Sequence, residues 1–187
     1  MTTSTTAEKE LPQEWSTVPL EQLIDHLKDD HRRWREEALP SLAALVEQRA
    51  REEQSDSTYA LRRIFRRLSN ELEAHLRDEE QVLFPAILEM DRGARNSQPC
   101  PRQPFGSVRN PITMIEREHE DDAQVWDTIR HLSLLDAVAK GATEMARRFY
   151  QDLTLFEDQV RMHTAVENTV LFPRAMQLEQ RQPAGRS

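Results

Sequence analysis

Apolar residues recur at spacings of three and four along four stretches of this chain, the period of a single buried face on an α-helix. The first stretch, over 19–49, carries Leu20, Leu23, Ile24, Leu27, Trp34, Leu42 and Leu45. The second, over 57–90, carries Leu61, Ile64, Phe65, Leu68, Leu72, Val82, Leu83 and Ile87. Ile112, Ile115, Val125, Trp126 and Ile129 mark a third over 111–136, and Met145, Phe149, Leu153, Phe156, Val160, Val170, Leu171 and Met176 a fourth over 143–179. Pro40, Pro85 and Pro173 fall inside these stretches. Each is expected to kink its helix or divide it in two, because proline removes a hydrogen bond and crowds the preceding turn. The pattern predicts an all-α fold, an antiparallel up-down-up-down four-helix bundle.

The segments between and around the helices read differently. Residues 1–18 are polar and Thr-rich, which predicts a loose arm ahead of a bundle over 19–179, with a polar tail over 180–187. Residues 91–111 hold four of the ten prolines and two of the four glycines, the mark of a long linker. At 187 residues, with only 4 glycines and 31% charged residues, the chain suits one mostly helical domain. A formal net charge of −8 argues against nucleic acid as a partner and is mildly favourable for cations. Cys100 is the single cysteine, so no disulfide forms within the chain and a reducing compartment fits. No apolar run approaches the roughly 20 residues of a membrane span. The opening MTTSTTAEKELPQEWS has no apolar signal core, so a cytoplasmic protein is expected.

The two halves of the chain repeat each other. HLRDEEQVLFP begins at His75 and HTAVENTVLFP at His163, an offset of 88 that also relates His31 to His119 and Glu79 to Glu167. This predicts an internal pseudo-two-fold. The four histidines at 31, 75, 119 and 163 are spaced by 44 throughout, with midpoints at 53, 97 and 141 in turn-like sequence. Antiparallel helices that turn at those midpoints bring all four histidines to one height inside the bundle.

An H-x-x-x-E pair puts both side chains on one helix face. His75 with Glu79 and His163 with Glu167, joined by His31 and His119, offer four imidazoles and two carboxylates. Two metals each taking two histidines, with both glutamates bridging, use all six, and mixed nitrogen and oxygen ligation suits iron or manganese, with zinc also admitted. A lone histidine on a helix is ordinarily a surface or satisfied core residue, and a single H-x-x-x-E recurs by chance. Two such pairs, each followed by L-F-P and accompanied by two more histidines at matching intervals, do not. Burying them without partners would also be costly. His26 and His131 fall outside the pattern and are read as non-ligands. The ferritin-like plan needs two E-x-x-H motifs. Glu116 and His119 form one, but Lys28, Leu72 and Val160 stand where the other histidines would need a glutamate.

The segments EWSTVPLEQLIDHLKDDH, HLRDEEQVLFP, NPITMIEREHEDDA and HTAVENTVLFPRA, spread from Glu14 to Met176, resemble the hemerythrin-like (HHE cation-binding) proteins. Within them the likeness is to the repair-of-iron-centres group, which repairs iron–sulfur clusters. The resemblance implies a hemerythrin-like bundle holding two iron ions with oxo and carboxylate bridges. It makes His31, His75, Glu79, His119, His163 and Glu167 the iron ligands, and it implies a role under nitrosative or oxidative stress. Oxygen-carrying hemerythrins use a fifth histidine on the third helix, where this chain has Ala123. Glu71, one turn before His75, and Glu118, beside His119, match acidic positions of the repair group and are candidates to guide iron or tune bound water. The expected partners are iron–sulfur proteins as transient clients and the small gases nitric oxide and oxygen. A gas sensor and a di-iron nitric oxide or peroxide reductase remain open beside repair, because all three need the same site.

Overall fold

The computed structural model describes residues 13–98, 103–138 and 141–181. After a short 3-10 turn, Gln13–Ser16, come α1 (Leu20–Arg33), α2 (Leu39–Glu53), α3 (Asp56–Asp78), α4 (Phe84–Arg95), α5 (Arg109–Val138), α6 (Glu144–Val166) and α7 (Phe172–Arg181). Among the described residues there is no strand, only an isolated bridge between Gln103 and Gly106. The seven segments make four long rods: α1 runs on into α2, α3 into α4 and α6 into α7, while α5 is unbroken. No described helix is long and apolar enough to cross a membrane.

The turns follow local chemistry. Gln54 closes α2 in the left-handed region at φ 44°. Ser55 then opens α3 with a reciprocal cap: its hydroxyl accepts from the Thr58 amide at 3.2 Å, and its own amide donates to Thr58 Oγ1 at 3.2 Å. Gly141 at φ 89° precedes the Thr143 hydroxyl that caps α6. Glu179 on α7 reaches across to the start of α5, accepting from the Val108 amide at 2.8 Å and the Ser107 hydroxyl at 2.7 Å.

The three internal prolines divide their rods, as expected, by a particular device. The residue before each proline bonds five positions back instead of four, so Leu39, Phe84 and Phe172 donate to the carbonyls of Trp34, Glu79 and Glu167. The resulting π turns, Trp34–Ala38, Glu79–Leu83 and Glu167–Leu171, take in one extra residue each and ease the clash between the proline ring and the turn before it. Two of them begin at the glutamates singled out in the sequence.

The linker expected over 91–111 is shorter than its composition suggested. Helix α4 continues to Arg95, held down by the buried Met90 and Gly93, and α5 begins at Arg109, leaving 96–108 between them. Cys100, residues 1–12 of the expected arm and residues 182–187 of the tail lie outside the described residues. The end of the arm is not loose, since Trp15 stacks on His26 with ring centroids 4.3 Å apart.

Helix α1 packs on α4, α2 on α3 and α6, α3 and α6 on α5, and α4 on α7. The buried apolar residues form two clusters. One gathers Leu20, Leu23, Ile24 and Leu27 of α1 with Phe84, Ile87, Ile112, Ile115, Leu171 and Phe172. The other gathers Trp34, Leu42 and Val46 with Leu61, Phe65, Leu68, Leu72, Trp126, Ile129, Phe149, Leu153 and Phe156. The candidate ligands belong to neither.

Phe84 and Phe172 are fully buried and lie over His31 and His119, with ring centroids at 5.7 and 6.3 Å. Phe172→Ala should therefore destabilise the fold by about 3–5 kcal/mol, measured by denaturant unfolding, whereas the exposed Leu155→Ala should change little. Equal effects from the two would show that the cluster around Phe172 is not packed as described.

Candidate metal centre

The six residues converge on one point of the interior. His31, Glu79, His163 and Glu167 form one group, and His75, Glu79, His119 and Glu167 a second, each with its ligand atoms within 4.8 Å of one another. Both glutamates are common to the two groups. His31 and His163 face each other with Nε2 atoms 3.1 Å apart, and so do His75 and His119. Glu79 turns Oε2 toward His31 Nε2 at 3.4 Å and Oε1 toward His75 Nε2 at 3.5 Å. Glu167 turns Oε1 toward His163 Nε2 at 3.3 Å and Oε2 toward His119 Nε2 at 3.5 Å. Each carboxylate thus spans the two imidazole pairs, one oxygen to each.

The outer ring nitrogens fix how these imidazoles are protonated. His31 Nδ1 donates to Glu80 at 2.9 Å, His75 Nδ1 to Glu118 at 2.9 Å, His119 Nδ1 to Asn168 Oδ1 at 3.2 Å and His163 Nδ1 to Asp30 at 3.2 Å. An ionised carboxylate or an amide oxygen only accepts, so Nδ1 carries the hydrogen and Nε2 is the nitrogen turned inward, its lone pair available to a cation once any second proton has left. Two neutral imidazoles cannot hold lone pairs 3.1 Å apart without a positive charge between them. The four oxygens of Glu79 and Glu167 are fully buried and have no hydrogen-bond partner. Such carboxylates cost several kcal/mol each unless a cation meets them. Two inward nitrogens and two shared carboxylate oxygens per pair fit a pair of divalent cations of the iron and manganese class.

The protonation of the layer points the same way. Burial, and then the neighbouring His163, pushes His31 down to about 4; burial likewise pushes His119 down to about 4. Burial also works against a charged His163, but Glu167 and Asp30 outweigh it and hold the ring up to about 9. Burial and the Glu167 charge raise Glu79 well above the ordinary carboxylate range; burial works on Glu167 too, but His163 outweighs it and brings it down to about 2. The layer thus draws in positive charge in the form of protons.

His26 and His131 are outside this group. His26 stacks on Trp15 with its Nε2 3.9 Å from Asp30, and His131 is exposed. Glu118 reaches the ring of His75 as described, while Glu71 pairs with Arg67 at 2.8 Å and lines a surface groove beside His75. Asp30, Glu80 and Asn168 were not singled out in the sequence. The signal was there: Asp30 and Glu118, and Glu80 and Asn168, are related by the 88-residue offset that relates the histidines.

Known proteins give independent support. The profile described as "Hemerythrin HHE cation binding domain" matches residues 22–175. The chain is 30% identical over 177 residues to "Iron-sulfur cluster repair protein YtfE" of Citrobacter koseri, covering 91% of this chain and 72% of that one. The proteins of the same name from Salmonella paratyphi B and Salmonella newport are each 30% identical over 172 residues, with the same coverage.

Because His163 sits at about 9 without metal, it carries a proton at pH 7 that a cation must expel. Metal loading at pH 7 should release about one proton or more per chain, and affinity should fall as pH falls, since each ligand must be deprotonated to bind. Calorimetric titration in buffers of different ionisation enthalpy measures this directly. A pH-independent affinity with no proton released would contradict the protonation described.

Proposed function

Because the chain belongs to the hemerythrin HHE cation-binding family, we propose that it is a non-haem di-iron protein that repairs iron–sulfur clusters damaged by nitrosative or oxidative stress. The observation that carries the metal half of this reading is the pair of unpartnered glutamates, each divided between two facing imidazole pairs. The repair half rests on the relatives, whose name is iron–sulfur cluster repair protein. The proposed ligands are His31, His75, Glu79, His119, His163 and Glu167, with Glu118 oriented to His75 and Glu71 at the rim. Two iron ions held there would supply exchangeable iron and positions open to nitric oxide.

The fold is proposed as an antiparallel hemerythrin-like bundle over 19–179 with an internal pseudo-two-fold. The pairing of α1 with α4 and of α2 with α3 supports the antiparallel sense, and the 88-residue recurrence of ligands, ring partners and π turns supports the duplication. A cytoplasmic setting fits the single cysteine and the reducing conditions under which such clusters survive.

The chain's own residues have definite tasks in this scheme. The two apolar clusters seal the layer above and below and keep bulk water from the carboxylates. The Nδ1 partners fix each ring with its lone pair inward. Imidazole and carboxylate are also ligands that protonation can loosen, unlike an all-thiolate cage, which suits a protein that must give metal up. A cavity of about 90 Å³, lined by His75, His119 and His163 together with Leu72, Trp126 and Val160, has room for a diatomic gas beside the layer.

The test mixes iron-loaded protein with an enzyme whose cluster has been damaged by nitric oxide, with no free iron added. Activity of that enzyme should recover with the loaded protein and with His131→Ala, and fail with His163→Ala, which loses a nitrogen donor. If the loaded protein restores nothing yet changes spectrum reversibly with nitric oxide, the repair reading gives way to a sensor. Multiple-turnover consumption of nitric oxide or peroxide would instead make it a reductase.

A further inference from the structure

The two imidazole pairs are not equivalent, and the difference lies in what stands behind them. Behind the His31–His163 pair are two carboxylates, Glu80 and Asp30. Both are themselves gripped: Glu80 by Arg35 at 3.0 Å and Asp30 by Arg33. Behind the His75–His119 pair stand one carboxylate, Glu118, and one neutral amide, Asn168. Among the described residues no cation holds Glu118, which is 40% exposed. A carboxylate partner makes an imidazole a stronger donor to a metal than an amide does, and a fixed partner holds the ring in place. One pair is therefore backed by two anchored anions and the other by a free carboxylate and an uncharged group.

Access differs in the same direction. The side chains of His31 and His163 are 0% and 2% exposed, those of His75 and His119 6% and 7%. His75 and His119 both line the cavity beside the layer, and His75 also borders a surface groove that carries Glu71, Asp78, Glu118, Asp121 and Asp122 against one cation, Arg67, which is paired with Glu71. His163 lines the cavity and a groove beside His26 as well, but His31 borders neither. A cation leaving from the His75–His119 side meets an acidic surface within reach of its ligands.

We propose that the His75–His119 pair holds the ion this protein gives up, that the His31–His163 pair holds the retained one, and that Asn168 is the positioning residue that sets the difference. This rests on the di-iron reading and deepens it by saying which half of the site is the donor. Restoring the charge that the other three ring partners offer should tighten the donor half. Removing charge behind His31 should loosen the retained half.

The experiment follows iron leaving the loaded chain in excess ferrous chelator, by the absorbance of the chelate. Two phases of one ion each are expected. Asn168→Asp should slow the fast phase about tenfold and leave the slow phase alone, in line with the effect of ring partners on metal affinity. Glu80→Gln should speed the slow phase and leave the fast one alone. A merely structural role at either position would move both phases together. Release of both ions in a single phase, or Asn168→Asp acting on the slow phase, overturns the assignment while leaving the di-iron reading intact. A loaded wild-type chain that holds fewer than two ions overturns that reading and this proposal with it.

Discussion

Six ionisable side chains share one buried layer, and the rest of the molecule is arranged around that fact. Glu79 and Glu167 are fully buried with no hydrogen bond to either carboxylate, and four imidazoles turn their Nε2 atoms into the same space. Such a layer would be among the least favourable things to place in a core unless positive charge enters it. The apolar residues therefore divide into one cluster on each side. The outer nitrogen of every ring is engaged by an acceptor from another rod, so no ring is free to turn its lone pair away.

The π turns connect backbone to site. Proline in the second turn after Glu79 and after Glu167 removes a donor and pushes the carbonyl register out by one residue, so a π turn opens at each glutamate. The same widening sets Phe84 and Phe172 over His31 and His119. The shared L-F-P of the two motifs thus serves two ends: its proline shapes the helix, and its phenylalanine closes the layer. A third π turn after Trp34 leaves α5 as the one long rod without an interruption.

Much of this was legible in the sequence, because the strongest constraints leave periodic traces. The helical apolar stripes marked four rods, and the 88-residue offset marked all six members of the buried layer. Three kinds of detail were not legible. The linker looked longer than it is because Gly93 reads as a breaker, although here it packs inside α4. Proline announced a break without saying that it would be a π turn, since that depends on which hydrogen bond the helix can spare. The ring partners Asp30, Glu80 and Asn168 were hidden among many surface acids and amides. Only the packing of α1 against α4, and of α5 and α6 against their neighbours, reveals which of these meet a histidine. Glu118 was found because it adjoins His119, and the same offset would have led from it to Asp30.

Cations in that layer are what this arrangement of side chains requires. Anomalous diffraction at the iron edge from crystals of the iron-loaded protein tests it most directly. Two peaks per chain, one within reach of His31 and His163 and one of His75 and His119, both flanked by Glu79 and Glu167, are the predicted result. A single peak, or iron bound only at the surface with the glutamate layer empty, would contradict it.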